Sequence, residues 1–273
     1  MTTDDRLCLM AVHAHPDDEA TSTGGVLARC SAEGVRTILV TCTDGSCGDG
    51  PGGAKPGEPG HTPDAVAAMR RSELDESCRV LGVDHLERLG YHDSGMMGWP
   101  SNDAPDAFWH ADAGAASGRL AVLLERYRPQ VVVTYDEHGF YGHPDHIQAH
   151  RITVAAIRTT GIPEKLYYPA IPTAALPRLA AALAEHGVEP PDDLADGVLT
   201  TPDDQIGAVV DCSAVTGRKY DSLAAHASQA DNIFFLGLGR ELFSQLFREE
   251  AFVRAQDRTG APVPESDLFA GLR

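Results

Sequence analysis

The chain lacks any apolar stretch approaching the roughly 18 to 20 uninterrupted residues that span a bilayer. Its opening, MTTDDRLCLM, carries acids where a targeting segment would carry basic charge ahead of a long apolar run. No membrane partner is therefore expected, and the expected location is cytoplasmic. Basic charge is scarce: 22 Lys and Arg stand against 40 Asp and Glu, a net charge of −18. Most of the surface should repel nucleic-acid phosphates and anionic lipid heads. The cysteines, Cys8, Cys30, Cys42, Cys47, Cys78 and Cys212, include no CxxC pair, and a chain of 273 residues does not need disulfide staples. They read as reduced thiols, mostly in the core, and the C-x4-C interval between Cys42 and Cys47 does not suit a dithiol redox centre.

What the chain does have is an apolar content of 42%, ample for a large core. LCLMAVH (7–13) is the short continuous apolar run of a strand buried on both faces, GGVLARCSAEG reads as a helix closed by Gly34, and VRTILVTC as a second buried strand. Residues 43–64 hold so much glycine and proline that a long surface loop is expected, with no regular element inside it. A helix should start near Thr62–Pro63 and end near Gly82. DHLERLGYHDSG then gives a third strand and its exit loop, 117–128 a helix, PQVVVTYD a fourth strand and 144–159 a helix. Beyond it the pattern weakens: a strand in KLYYPAI, a helix over 174–186, a polar connector to about 205, a strand in IGAVVDC, helices near 214–229 and 238–249, and an apolar FVRA. Strands alternating with helices predict an α/β fold with a mostly parallel, doubly wound sheet, in the order 3-2-1-4 for the first four strands.

In that order strands one and four are neighbours at the switch point, where ligands bind beyond the carboxyl ends. Strand one runs into HPDDE and strand four into GHPDH. A dinucleotide fold would place G-x-G-x-x-G after strand one so that bare backbone meets a pyrophosphate, but three carboxylates there would repel phosphate. They would attract a cation. An imidazole and one carboxylate from the first motif, with an imidazole from the second, make three protein ligands and leave a position open for water. These mixed ligands suit zinc, with iron(II) or cobalt as alternatives. One of Asp17 and Asp18 should bind while the other faces the water, and one of His143 and His146 should ligate while the other donates to an oxyanion. Either motif alone is ordinarily a solvated loop or a helix cap; their pairing after two central strands favours the metal. His13 should pack or orient a neighbour. His61, His85, His92, His110, His138, His150, His186 and His226 are expected at the surface or in structural roles, and Trp99 and Trp109 suit either the pocket mouth or the core.

AHPDDE after strand one and GHPDH after strand four resemble the signature of the LmbE or PIG-L family of metal-dependent de-N-acetylases, over about residues 7–160, with weaker support from KLYY and AHASQ. The resemblance implies a Rossmann-like domain that hydrolyses an N-acyl group from a glucosamine-type small molecule. Residues 1–165 would be its catalytic core, and 166–273 a C-terminal α/β extension completing the same domain and the substrate pocket. It implies His15, Asp18 and His146 as zinc ligands, Asp17 as general base, His143 as the group that stabilises the tetrahedral intermediate, and Asp145 as the orienting partner of His143. Arg70 and Asp93 match sugar contacts, and Tyr141 an oxyanion-side tyrosine. Among relatives, HDSGMMG and VVTYDEHGFYGHPDH are most similar to mycothiol-pathway enzymes. Ser22 stands where the S-conjugate amidases have lysine, as in the inositol-glucosaminide deacetylases. Residues and resemblance together predict that Asp17 takes a proton from metal-activated water while protonated His143 holds the oxyanion. The rival expectations are a thiol-conjugate amidase, a deacetylase of an antibiotic pseudo-sugar, and a noncatalytic carbohydrate-binding protein.

Overall fold

A computed structural model describes residues 6–187 and 199–273; the acidic opening residues 1–5 and the 188–198 part of the expected connector lie outside the described residues. β1 (Cys8–His13) is buried at every position, as its unbroken apolar sequence requires. It pairs in parallel with β2 (Arg36–Thr43) on one side and β4 (Val131–Val133) on the other, with Leu9 opposite both Thr37 and Val131. β3 (His85–Tyr91) extends the β2 side and β5 (Lys165–Ala170) the β4 side, both in parallel. β6 (Ile206–Asp211) and β7 (Glu249–Asp257) complete one seven-stranded sheet in the order β3-β2-β1-β4-β5-β7-β6, β7 running antiparallel to both its neighbours. The mostly parallel doubly wound sheet and its 3-2-1-4 order are as expected.

Alternation along the strands sends side chains to two apolar layers. Leu9, Ala11, Leu39, Val131 and Val133 share one cluster with Val26 and Leu27 of α2 (Gly24–Ala32) and Leu74 of α3 (Pro63–Leu81). Met10, Val12, Ile38, Val40 and Val132 share the other with Leu120 and Leu124 of α4 (Ala113–Tyr127) and Ile152 of α5 (Pro144–Thr160). α3 begins at Pro63 and is closed by Gly82 at φ 72°, where a side chain would be strained.

Four local expectations are corrected. The first crossover helix is preceded by a separate turn of helix, α1 (Asp18–Ser22), because Thr23 breaks the ladder at φ −139° and spends its hydroxyl on the Glu19 carbonyl. Residues 43–64 contain one 3-10 turn, Pro51–Gly53. The helices expected near 214–229 and 238–249 are α7 (Thr216–Ala225) and α9 (Gly239–Leu246), and a third that was not expected, α8 (Ala230–Gly237), lies between them, with α6 (Ala175–Glu185) before all three. The FVRA segment is part of β7, whose alternation is disguised by a buried acid: Glu250 turns inward, accepts the Gly25 and Val26 N–H groups at 2.7 and 2.8 Å and pairs with Lys219 at 2.6 Å. Those are orphan donors at the start of α2, so one carboxylate joins the last strand, the first crossover helix and α7. Among the described residues no helix is long and apolar enough to cross a membrane. Glu250→Ala strands buried Lys219 and uncaps α2, and should cost about 3–5 kcal/mol in equilibrium chemical unfolding, the scale for removing one partner of a buried pair.

Candidate metal centre

The chain leaves β1 at His13 and turns at once through His15, Asp17 and Asp18; beyond β4 it returns through His143, the N-cap of α5, and His146 in that helix's first turn. Parallel pairing of β1 with β4 makes the two segments neighbours at the carboxyl ends. The ring of His15 lies 4.5 Å from that of His143 and 5.3 Å from that of His146. Ligand nitrogens of the three fall within 4.8 Å of one another.

Asp18 has one oxygen committed and one available. Its Oδ2 accepts the His15 N–H at 2.7 Å and the Tyr135 hydroxyl at 2.6 Å, while Oδ1 faces His146 Nε2 at 3.4 Å. His15 directs Nε2 to Asp145 Oδ2 at 3.2 Å, which leaves Nδ1 on the Asp18 side, 3.4 Å from Oδ2. Two donors held tetrahedrally by one ion at about 2.0–2.1 Å lie about 3.3–3.4 Å apart, the spacing of His146 Nε2 and Asp18 Oδ1. The most telling atom is on His146: the ring is buried, yet neither nitrogen has a hydrogen-bond partner. A buried imidazole without a partner is costly unless a ligand satisfies it. His15, Asp18 and His146 therefore fit a divalent metal ion, with Asp145 orienting His15 from behind.

Electrostatics point the same way. Burial opposes charge on His15, but Asp93, Asp145 and Asp18 surround the ring and hold its pKa well above the usual imidazole range. Burial would raise Asp18, yet His146 and His15 outweigh it and keep the carboxyl well below its usual range. Asp17 differs: burial raises its pKa, and Arg70 only partly offsets the effect while Asp18 adds to it. Its Oδ1 lies 3.0 Å from Arg70 Nη2 and its Oδ2 3.5 Å from Asn232 Nδ2. The adjacent acids thus occupy separate environments, Asp18 among imidazoles and Asp17 beside a guanidinium.

Several residues are placed otherwise than expected. The Asp145 carboxylate does not reach toward His143; it accepts Ser94 N–H at 2.9 Å and the Ser94 hydroxyl, and meets His15. His143 is instead oriented by the Asp145 backbone, whose N–H donates to Nδ1 at 3.1 Å. With Nδ1 an acceptor, the proton sits on Nε2 and the ring is neutral; burial, then His15 and His146, push its pKa down to about 2. A ring that accepts at Nδ1 differs from the protonated His143 expected from the sequence. Arg70, expected to contact sugar, is 4% exposed, and its guanidinium is spent on the Gly45 carbonyl at 2.8 Å, the Pro16 carbonyl and Asp17. Asp93 is likewise buried, accepting Gly95 N–H at 2.8 Å and Cys47 N–H at 3.2 Å. Both are buried, Arg70 beside Asp17 and Asp93 beside His15. Ser22 is half-buried at the end of α1 and is not brought into hydrogen-bond contact with the ligands or Asp17. Tyr141 is 47% exposed, its ring 4.9 Å from that of His146. Trp99 is exposed and Trp109 half-buried under Arg151. Cys42 and Cys47 are free thiols, and burial, then Asp93, pushes Cys47 up to about 12.

Sequence reading missed Tyr135, two residues past β4, whose ring stacks on His146 at 4.0 Å while its hydroxyl fixes Asp18. His13 orients it, with Nδ1 3.2 Å from the Tyr135 hydroxyl and Nε2 2.8 Å from Thr23 Oγ1. The TYD segment resembled a plain strand end, and only the parallel pairing with β1 reveals its target.

Fold and centre together define a Rossmann-like α/β protein with a histidine–carboxylate site for a divalent metal at the switch point of the sheet. The chain belongs to the PIG-L family, described as GlcNAc-PI de-N-acetylase, which matches residues 10–157. It is 41% identical, over 97% of this chain and 96% of the relative, to the 1D-myo-inositol 2-acetamido-2-deoxy-alpha-D-glucopyranoside deacetylase of Thermomonospora curvata. The protein of the same name from Acidothermus cellulolyticus is also 41% identical, over 97% of this chain and 94% of the relative. Among solved structures, N,N'-diacetylchitobiose deacetylase from Pyrococcus horikoshii shares the fold with a TM-score of 0.60 at 19% identity, covering 92% of this chain and 84% of that one.

Tyr135→Phe frees Asp18 Oδ2 from its hydroxyl donor without emptying the core, and should weaken metal affinity by about 10- to 100-fold in competition with a chromophoric chelator.

Proposed function

We propose that this chain is a metal-dependent amidohydrolase that removes the N-acetyl group from a glucosamine-containing small molecule, with zinc held by His15, Asp18 and His146. Iron(II) and cobalt suit the same donors. The observation that carries the reading is the unpartnered buried imidazole of His146 facing Asp18, beside a second carboxylate, Asp17, engaged by Arg70. A binding protein has no use for that spare carboxylate; a hydrolase needs it as a base.

A metal held by His15, Asp18 and His146 would supply Lewis acidity toward the amide carbonyl and lower the pKa of water near neutral pH. The protein's own groups do the rest. Asp17 takes the proton of the attacking water, its carboxylate set beside the Arg70 guanidinium. His143 offers its Nε2–H to the developing oxyanion as a neutral donor, since Nδ1 is committed to the Asp145 N–H. A neutral imidazole that gave up this proton would become an anion, so the proton needed by the departing amine is returned by Asp17. Tyr141, at the mouth of the site, stands on the oxyanion side.

We assign the substrate as the inositol glycoside of N-acetylglucosamine. Support comes from the 41% identical relatives of that name and from Ser22 in place of an amidase lysine. Residues 166–273 belong to the same functional unit, a reading supported by β6 and β7 in the catalytic sheet and by Asn232 beside Asp17. The reading includes a cytoplasmic location, supported by six free thiols. In a free-amine assay on N-acetylglucosamine, its inositol glycoside, a thiol conjugate and an acetylated antibiotic sugar, the glycoside should react best and a chelator should abolish release. Asp17→Asn should keep its metal and lose at least about 100-fold in kcat. Stoichiometric metal with no amine released from any substrate would instead favour a carbohydrate-binding protein.

A further inference from the structure

The acid run contains a third member, Glu19, that neither binds metal nor faces substrate. It is fully buried at the centre of a network assembled from three distant elements. Its Oε1 accepts from His226 Nε2 at 2.7 Å and from the Ser77 hydroxyl, which in turn meets Ser222 Oγ at 2.7 Å. Its other oxygen, Oε2, accepts the backbone N–H of Asp17 at 3.0 Å. Asp17 needs such a hold: its φ is 112°, in the region that side-chain-bearing residues rarely enter. The same histidine reaches Asp17 by a second route, because its carbonyl accepts from Asn232 Nδ2 at 3.3 Å and that amide lies 3.5 Å from Asp17 Oδ2.

We infer that Glu19 and His226 are positioning residues for the general base: the buried pair ties the end of α7 to the backbone of Asp17 and fixes its carboxylate against the crevice. This rests on the assignment of Asp17 as the base. It accounts for the third acid in HPDDE and for the histidine of AHASQ, two features that metal binding leaves without a role. It also separates the two neighbouring acids mechanically. Asp18 is held by Tyr135 and the His15 N–H, whereas Asp17 is held by Glu19 and Arg70, so each can be disturbed alone.

The test uses Glu19→Gln, His226→Leu and His226→Gln, each alone and the first also combined with Asp17→Asn, in the metal-loaded enzyme acting on the inositol glycoside. Glu19→Gln and His226→Leu should each lower kcat by about tenfold or more, as small misplacements of a reacting group do, with KM within about twofold and bound metal unchanged. His226→Gln keeps an N–H donor for Glu19 and should recover most of the kcat lost in His226→Leu. Where Asp17 is already Asn, adding Glu19→Gln should cost less than about twofold, because the group being positioned is gone. An unchanged kcat in the single variants, an equal loss on top of Asp17→Asn, or loss of metal overturns the proposal. If Glu19→Gln fails to fold, the two His226 variants decide. Full activity in Asp17→Asn alone overturns the base assignment and this proposal with it; a full-rate Glu19→Gln beside an impaired Asp17→Asn overturns this proposal only.

Discussion

Mutual repulsion among buried carboxylates is the constraint on which this site depends. Asp17, Asp18, Glu19, Asp93 and Asp145 crowd the exit of β1, buried or half-buried, and charges taken out of water persist only with specific partners. Each has its own. Arg70 faces Asp17, His226 holds Glu19, backbone N–H groups of Cys47 and Gly95 hold Asp93, and Ser94 holds Asp145. Asp18 keeps one oxygen on the His15 N–H and the Tyr135 hydroxyl, while the other looks toward an imidazole with no hydrogen-bond partner. A cation would complete that set, and in the proposed chemistry the next carboxylate, Asp17, is the one left for proton transfer.

Topology makes the set possible. One partner of His15, Asp145, lies 130 residues away, and one partner of Glu19, His226, lies 207 residues away. The parallel β1–β4 pairing solves the first separation; the packing of α7 and α8 over the β1 exit solves the second. The C-terminal third therefore does more than widen the sheet. Through Glu250 it caps α2, and through His226, Gln229 and Asn232 it grips the segments that carry Asp17 and Asp49, Gln229 accepting the Asp49 N–H at 2.9 Å.

Continuous apolar runs made β1, β2 and β4 legible in the sequence, because burial on both faces leaves no room for polar residues. β7 was not legible: EEAFVRAQD spends an inward position on Glu250, and a buried acid reads as surface until Lys219 and the α2 N-terminus are seen around it. At the site, residues within four positions of one another in two motifs were readable, and their side chains do converge. Partners set by tertiary contact were not. Arg70 looks like any helical arginine in MRRSEL, although it is buried among carbonyls, and His226 and Tyr135 declare themselves only through what they touch. The one available signal was AHASQ, whose small residues flank a histidine that packs without exposure.

The proposed chemistry turns on a division between the two adjacent acids, with Asp18 on the metal and Asp17 off it. Anomalous scattering from crystals of the metal-loaded protein can locate the ion. One peak is expected within bonding distance of His15 Nδ1, Asp18 Oδ1 and His146 Nε2, with Asp17 outside the coordination sphere. A peak coordinated by Asp17, or seated among His15 Nε2, Asp93 and Asp145, where a second set of donors also clusters, would contradict it.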